Sequence, residues 1–226
     1  MLVAIDTATR VASLALHDGA RLRWEMTWEA GWQHTVHLAP RLVGAMEDLG
    51  VDASALTGIA VTTGPGSFTG LRVGLAAAKG LALANAIPLV GVPTLDVVAA
   101  GQGRDERPLA AVLQAGRGRI CVAVYRWREA WQCQDGPHLT TWAALAEQTT
   151  EPTLFCGEVD PRGAKVLAGL GDLSGVTSPA WSLRRAGFLA ELGWERIRGG
   201  DADDPASLAP LYLHQSLSED ARDVRQ

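Results

Sequence analysis

Along the first hundred residues the spacing of apolar positions changes period twice. LVAID near the N-terminus is an apolar run of strand length, and VASLALH over Val11 to His17 is a second. Asp18-Gly19 is a tight-turn signal, and Ala20 to Trp28 supplies a third run, so the chain opens as an antiparallel meander. From His34 to Leu49 the apolar residues Leu38, Leu42, Ala45, Met46 and Leu49 recur at three and four, which predicts an amphipathic helix closed by Gly50. Pro40 places a kink or the helix start close to it. Gly58 to Thr63 reads as a buried strand, GPGSFTG as a loop and Leu71 to Ala86 as an Ala/Gly-rich helix. Leu89 to Val92 is a further strand, and Thr94 caps a short helix running to Ala100.

Residues 101–108, GQGRDERP, are polar and read as a linker. Beyond it come strands over 109–113, 120–126 and 131–133, helix 142–148, strand 153–156 and helix 183–198. The second half therefore reads as a degraded repeat of the first. The expected organisation is an N-terminal unit over 1–100 and a smaller C-terminal unit over 109–226.

Composition narrows the classes. Hydrophobic residues make up 47% and charged residues 20% of the 226, enough for a packed core. The net charge of −5 argues against a protein that grips a phosphate backbone by itself. Of 20 basic residues only Lys79 and Lys165 are lysines, and the arginines are scattered along the chain. Cys121, Cys133 and Cys156 form no CxxC pair and suit buried thiols in a reducing compartment, although Cys121 and Cys133 could face each other across a hairpin. The most apolar run, 73–92, is broken by Lys79, Asn85 and Pro88, which fits a buried helix and strand rather than a membrane span. A cytoplasmic protein with no membrane partner is expected.

The strongest local signal is the segment from Thr62 to Gly74, TTGPGSFTGLRVG, between a strand and a helix. Gly64, Gly66, Ser67, Thr69 and Arg72 are the candidates for holding an anion at that helix N-terminus. It is neither a Walker A loop nor a Rossmann fingerprint. On spacing alone a tight turn whose glycines admit close packing is the better reading, with Ser67 and Thr69 as helix caps. Ser67 lacks the GxSxG context of a nucleophile, so no catalytic residue is assigned. His34 and His37 stand three apart, where two half-exposed histidines near a helix start are favoured over a metal pair. Asp6 ends the first strand without the further carboxylates of a two-metal site, and with Thr7 and Thr9 is read as tying down a turn. No metal is assigned. Trp24 and Trp28 share a strand face and default to the core.

GPGSFTGLRVGLAAAKGLA, the opening LVAIDTATRVASLAL, the helix HTVHLAPRL, GVPTLDVVA and the late PLYLHQ together resemble the TsaB (YeaZ) family. The likeness is dense over 1–100 and thin beyond. It implies an α/β fold of the actin-like, sugar-kinase-like class (ASKHA), made of two related ribonuclease-H-like domains with the second reduced. It implies a non-catalytic subunit in the synthesis of N6-threonylcarbamoyl on the tRNA adenosine next to the anticodon. The implied partners are a TsaD-type transferase that it binds and activates, a TsaE-type ATPase through the complex, tRNA only indirectly, and a second copy when alone. The rival is a stand-alone small kinase or hydrolase of that superfamily, or a glycoprotease-like peptidase. Two departures stand out: Gln114-Ala115-Gly116-Arg117-Gly118 replaces the usual Asp-Ala-Arg-Arg-Gly, so no role of that acid carries over, and Cys156-Gly157-Glu158 stands where a Gly-rich turn is usual, which counts against nucleotide in the cleft. No cofactor, ATP or ADP included, is expected. Small and apolar residues on the two helices place the partner-binding surface at Leu38, Leu42, Ala45, Gly74, Ala77, Ala78 and Leu81, and charge reversal at Leu42 or Ala78 abolishes the complex if those side chains face outward.

Overall fold

A computed structural model describes residues 1–31 and 33–213, so Trp32 and the His214-Gln215 end of the PLYLHQ motif lie outside the described residues. Three strands open the chain, β1 (Leu2–Asp6), β2 (Val11–His17) and β3 (Leu22–Glu29), followed by α1 (His34–Asp48), β4 (Gly58–Gly64), α2 (Phe68–Asn85), β5 (Leu89–Pro93) and α3 (Thr94–Ala100). The pattern then repeats as β6 (Leu109–Gln114), β7 (Ile120–Trp127), β8 (Trp131–Thr140), α4 (Trp142–Gln148), β9 (Thr153–Gly157), α5 (Pro161–Ala168) and β10 (Ser174–Val176). Two helices end it, α6 (Pro179–Ser182) and α7 (Ala186–Arg198). The two five-stranded sheets have corresponding orders, β3-β2-β1-β4-β5 and β8-β7-β6-β9-β10. In each, an antiparallel meander is extended by parallel strands reached through helical crossovers. This is the duplicated actin-like architecture, with a second unit reduced to a three-residue edge strand and helices of seven and eight residues.

Period-two alternation sorts the strand residues between two layers. Val3 and Ile5 of β1, Leu14 and Leu16 of β2, and Ile59 and Val61 of β4 meet Leu38, Leu42 and Ala45 of α1 and Leu75, Ala78 and Ala82 of α2. Leu2, Ala4, Ala15 and Ala60 point the other way, onto Ala186, Leu189 and Ala190 of α7. Gly193 lets α7 approach closely, because a Cβ there would stand 2.4 Å from that of Ala60. On the second sheet one face is covered by Leu95, Val98 and Ala99 of α3, and the other by Trp142 and Leu145 of α4 with Leu167 of α5.

Helix α7 packs on the first sheet, and α3 lies between the two, with Val97 in the first sheet's core and Leu95, Val98 and Ala99 in the second's. Other details refine the sequence reading. Thr94 is the first residue of α3 rather than its cap, and its neighbour Pro93 offers no side-chain cap. α5 and β10 had no counterpart in the expected elements, and helix 183–198 begins only at Ala186. The three cysteines are free, with Cys121 opposite Leu139 and Cys133 opposite Tyr125 rather than facing each other. Among the described residues no helix is long and apolar enough to cross a membrane.

Candidate functional site

The C-terminal ends of β1 and β4 lie side by side at the mouth between the two sheets, where open α/β folds place their ligands. There the β1–β2 turn, the loop entering α2, the end of β6 and the turn after β9 line a cleft of about 800 Å³. Thr9, Arg10, Ser67, Thr69, Gln114, Glu158 and Asp160 supply its polar lining.

The acid at the heart of this region is taken. Asp6 is completely buried. Its Oδ1 accepts from the Ala8 N–H at 2.9 Å and the Thr62 hydroxyl at 3.0 Å. Its Oδ2 accepts from Nε of Arg184, itself buried, in a direct ion pair. Arg184 Nη2 also donates to the Thr9 hydroxyl at 2.9 Å and the Val11 carbonyl at 3.0 Å, while Nη1 stands 3.7 Å from Glu158 of the second half. Glu158 in turn accepts from the Gln114 N–H at 2.9 Å. One arginine therefore satisfies the carboxylate that a metal or phosphate chemistry would need free, and reaches toward both halves. The turn-forming role read for Asp6 is present; its arginine partner carried no sequence signal, since Ser182-Leu183-Arg184-Arg185 matches no spacing rule.

The glycine-rich loop serves packing. Ser67 caps α2, its Oγ accepting the Gly70 N–H at 3.2 Å, and its own N–H donates to the Ala8 carbonyl at 2.6 Å. A Cβ at Gly66 would lie 2.3 Å from the Ala8 oxygen, at Gly70 2.1 Å from the Thr7 oxygen, and at Gly74 2.3 Å from the Thr7 hydroxyl. The Thr7 hydroxyl donates to the Gly70 carbonyl at 2.7 Å. These glycines seat α2 against the β1–β2 turn. Of the anion-binding candidates, Gly64 ends β4 in the left-handed region, at φ 120°. Thr69 lies inside α2 and caps nothing. Arg72 turns away: its guanidinium stacks 3.7 Å over the Phe68 ring and Nε donates to the Tyr212 hydroxyl at 2.9 Å.

His34 and His37 diverge. His34 is buried beside Gly70, and burial holds its imidazole below the usual value, against an opposing pull from Asp6. His37 lies nearer the surface, 3.1 Å from the Gln33 side chain. Trp24 and Trp28 pack against the α1/α2 core, with Arg41 stacked 4.7 Å over Trp28.

The expected partner-binding set needs correction. Leu38, Leu42, Ala45, Gly74 and Ala78 are buried in the chain's own core, and Ala77 and Leu81 are half-buried against it. The outward side of the same two helices carries Val36 (62% exposed) and Val43 (54%) on α1, and Ala76, Gly80, Leu83 (70%) and Ala84 on α2. A signal for the two valines was present, as apolar residues seven apart and off the core stripe of α1. No charged residue interrupts 80–85 on α2.

Residues 28–136 match the family model described as TsaD: tRNA N6-adenosine threonylcarbamoyltransferase. The chain is 27% identical to the tRNA threonylcarbamoyladenosine biosynthesis protein TsaB of Bacillus subtilis, covering 96% of each chain. It is 30% identical to an uncharacterized protein of Mycobacterium tuberculosis, over 95% of this chain and 92% of that one. The solved structure of YeaZ from Pseudomonas aeruginosa superimposes with a TM-score of 0.75 at 23% identity, over 94% of this chain and 99% of that one.

Proposed function

The chain belongs to the TsaB (YeaZ) family of tRNA threonylcarbamoyladenosine biosynthesis, and from that premise we propose that it is a non-catalytic subunit whose α1/α2 face binds and activates a TsaD-type transferase. The observation that carries this reading is the exposure of Val36 and Val43 on α1 and of Leu83 on α2, a helix whose exposed positions also include the small residues Ala76, Gly80 and Ala84. Small residues let a partner helix approach closely, and three large exposed aliphatics are a reason for it to stay. A partner of related fold, offering its own helix pair, would complete a four-helix layer, and a second copy of this chain would do so when the partner is absent. A TsaE-type ATPase would join through the complex, and tRNA would meet this subunit only indirectly.

The state of Asp6 supports the non-catalytic half of the proposal. A stand-alone kinase or hydrolase of this fold would need an acid free to position a metal or polarise a nucleophile. Here Arg184 occupies that acid from within the chain.

The test is complex formation with the TsaD-type protein of the same organism, measured by light scattering after size-exclusion chromatography. Val43→Asp and Leu83→Asp, both exposed, should fold normally and lose the complex. A complex formed by both variants as by the native chain would refute the placement of the interface.

A further inference from the structure

On the side of the molecule formed by α3, α7 and the β7–β8 hairpin lies a separate cavity of about 250 Å³ that the proposed function does not use. Its walls are aromatic: Tyr125 and Trp127 from β7, Trp131 from β8 and Phe188 from α7. Trp127 and Trp131 meet edge to face at 5.4 Å between ring centroids, which fixes the orientation of both rings. Trp131 is held further by its indole N–H, which donates to the Gln102 carbonyl at 3.1 Å.

Three carboxylates share this lining, Asp96 from α3 and Glu191 and Glu195 from α7, and no lysine, arginine or histidine does. Asp96 accepts a 2.7 Å hydrogen bond from the Tyr125 hydroxyl, and burial still pushes its carboxyl above the ordinary value. Glu191 and Glu195 are one turn apart on α7, an arrangement that is unfavourable without a counter-charge. Two of the arginines on α7 or just before it have acidic partners outside this lining, Arg185 with Glu25 and Arg196 with Asp201 and Asp203, although the Arg185 guanidinium also lies 5.6 Å from the Phe188 ring. Among the described residues no three acids or histidines converge as they would on a metal ion. The negative charge is instead spread along a wall faced by rings.

We infer that this cavity binds an organic cation, a guanidinium or alkylammonium group about the size of one arginine or lysine side chain. Aromatic faces attract such a cation through their quadrupoles and carboxylates attract it by charge, so the two features select the same ligand chemistry. The volume lies below the range usual for drug-sized ligands, which limits the occupant to a small head on a short aliphatic stem. That head is either a free amine or the side chain of another protein.

Calorimetric titration of the full chain with ethylguanidinium, butylammonium and neutral ethylurea, at constant ionic strength, tests this. Both cations should bind saturably and ethylurea should not. The Glu191→Gln/Glu195→Gln double variant should fold with a melting midpoint no lower than the native one and bind ethylguanidinium at least about fivefold more weakly, the scale of one charged contact at a partly exposed site. An acetylated, amidated arginine peptide that binds more tightly than ethylguanidinium would identify a protein segment as the source, and equal affinity a small amine. No saturable binding of either cation, equal binding of ethylurea, or unchanged affinity in the double variant would overturn the inference.

Discussion

Arg184 and Asp6 stand 178 residues apart in sequence and form a buried ion pair at the cleft end of β1. The pair joins the segment entering α7 to the first strand, and Glu158 brings the second half within reach of the same guanidinium. Buried charges are tolerated when paired and hydrogen-bonded throughout, and Asp6 accepts three hydrogen bonds here.

Breaking the pair from one side should therefore be costly. Arg184→Met leaves Asp6 buried without a counter-charge and should lower stability by about 3–5 kcal/mol. Adding Asp6→Asn to it should recover part of that loss, because the uncompensated charge is gone. Chemical denaturation of the two single variants and the double variant gives the coupling, and additive losses would contradict the ion-pair account.

Two glycines of α2 should respond in opposite directions. At Gly74 a methyl group would collide with the Thr7 hydroxyl, which is fixed by its bond to Gly70, so Gly74→Ala should destabilise by about 1–3 kcal/mol. At Gly80 nothing lies within 4 Å of the added carbon, and Gly80→Ala should stabilise the helix by about 0.5–1 kcal/mol. Melting midpoints of the two variants check the contrast.

The strands and the two long helices were legible because their periods are strong and their burial matches them, as in β1 with Val3 and Ile5 to one layer and Leu2 and Ala4 to the other. β10 was not, since Ser174-Gly175-Val176 is too short for any period to register. α5 had a start signal in Asp160-Pro161, whose carboxylate accepts the Gly163 N–H at 2.7 Å, but Gly163 masks the helix and is there to admit the Trp142 ring. The packing of α7 on the first sheet, and of α3 between both, is invisible to local pattern, because an apolar stripe says that a helix face is covered and not by which sheet. The same ambiguity left open which way Leu42 and Ala78 face, and both prove to lie on the core side.

Stability should fall through His34 as the pH drops below the ordinary imidazole value of about 6.5. Burial holds its folded imidazole below the ordinary value, so just below that value the unfolded chain takes up a proton that the folded chain does not. The midpoint of thermal unfolding should drop as the pH falls, and His34→Gln should flatten that drop. A profile identical in the native chain and the variant would assign the acid sensitivity to other groups.

The measurement that bears most directly on the whole account is threonylcarbamoyl transfer to tRNA, reconstituted from the TsaD-type transferase and the rest of its system with and without this chain. The account predicts transfer that requires this chain, no transfer by this chain alone, and loss of its effect in Val43→Asp and Leu83→Asp. Full transfer without it, or transfer restored by those two variants as well as by the native chain, would contradict it.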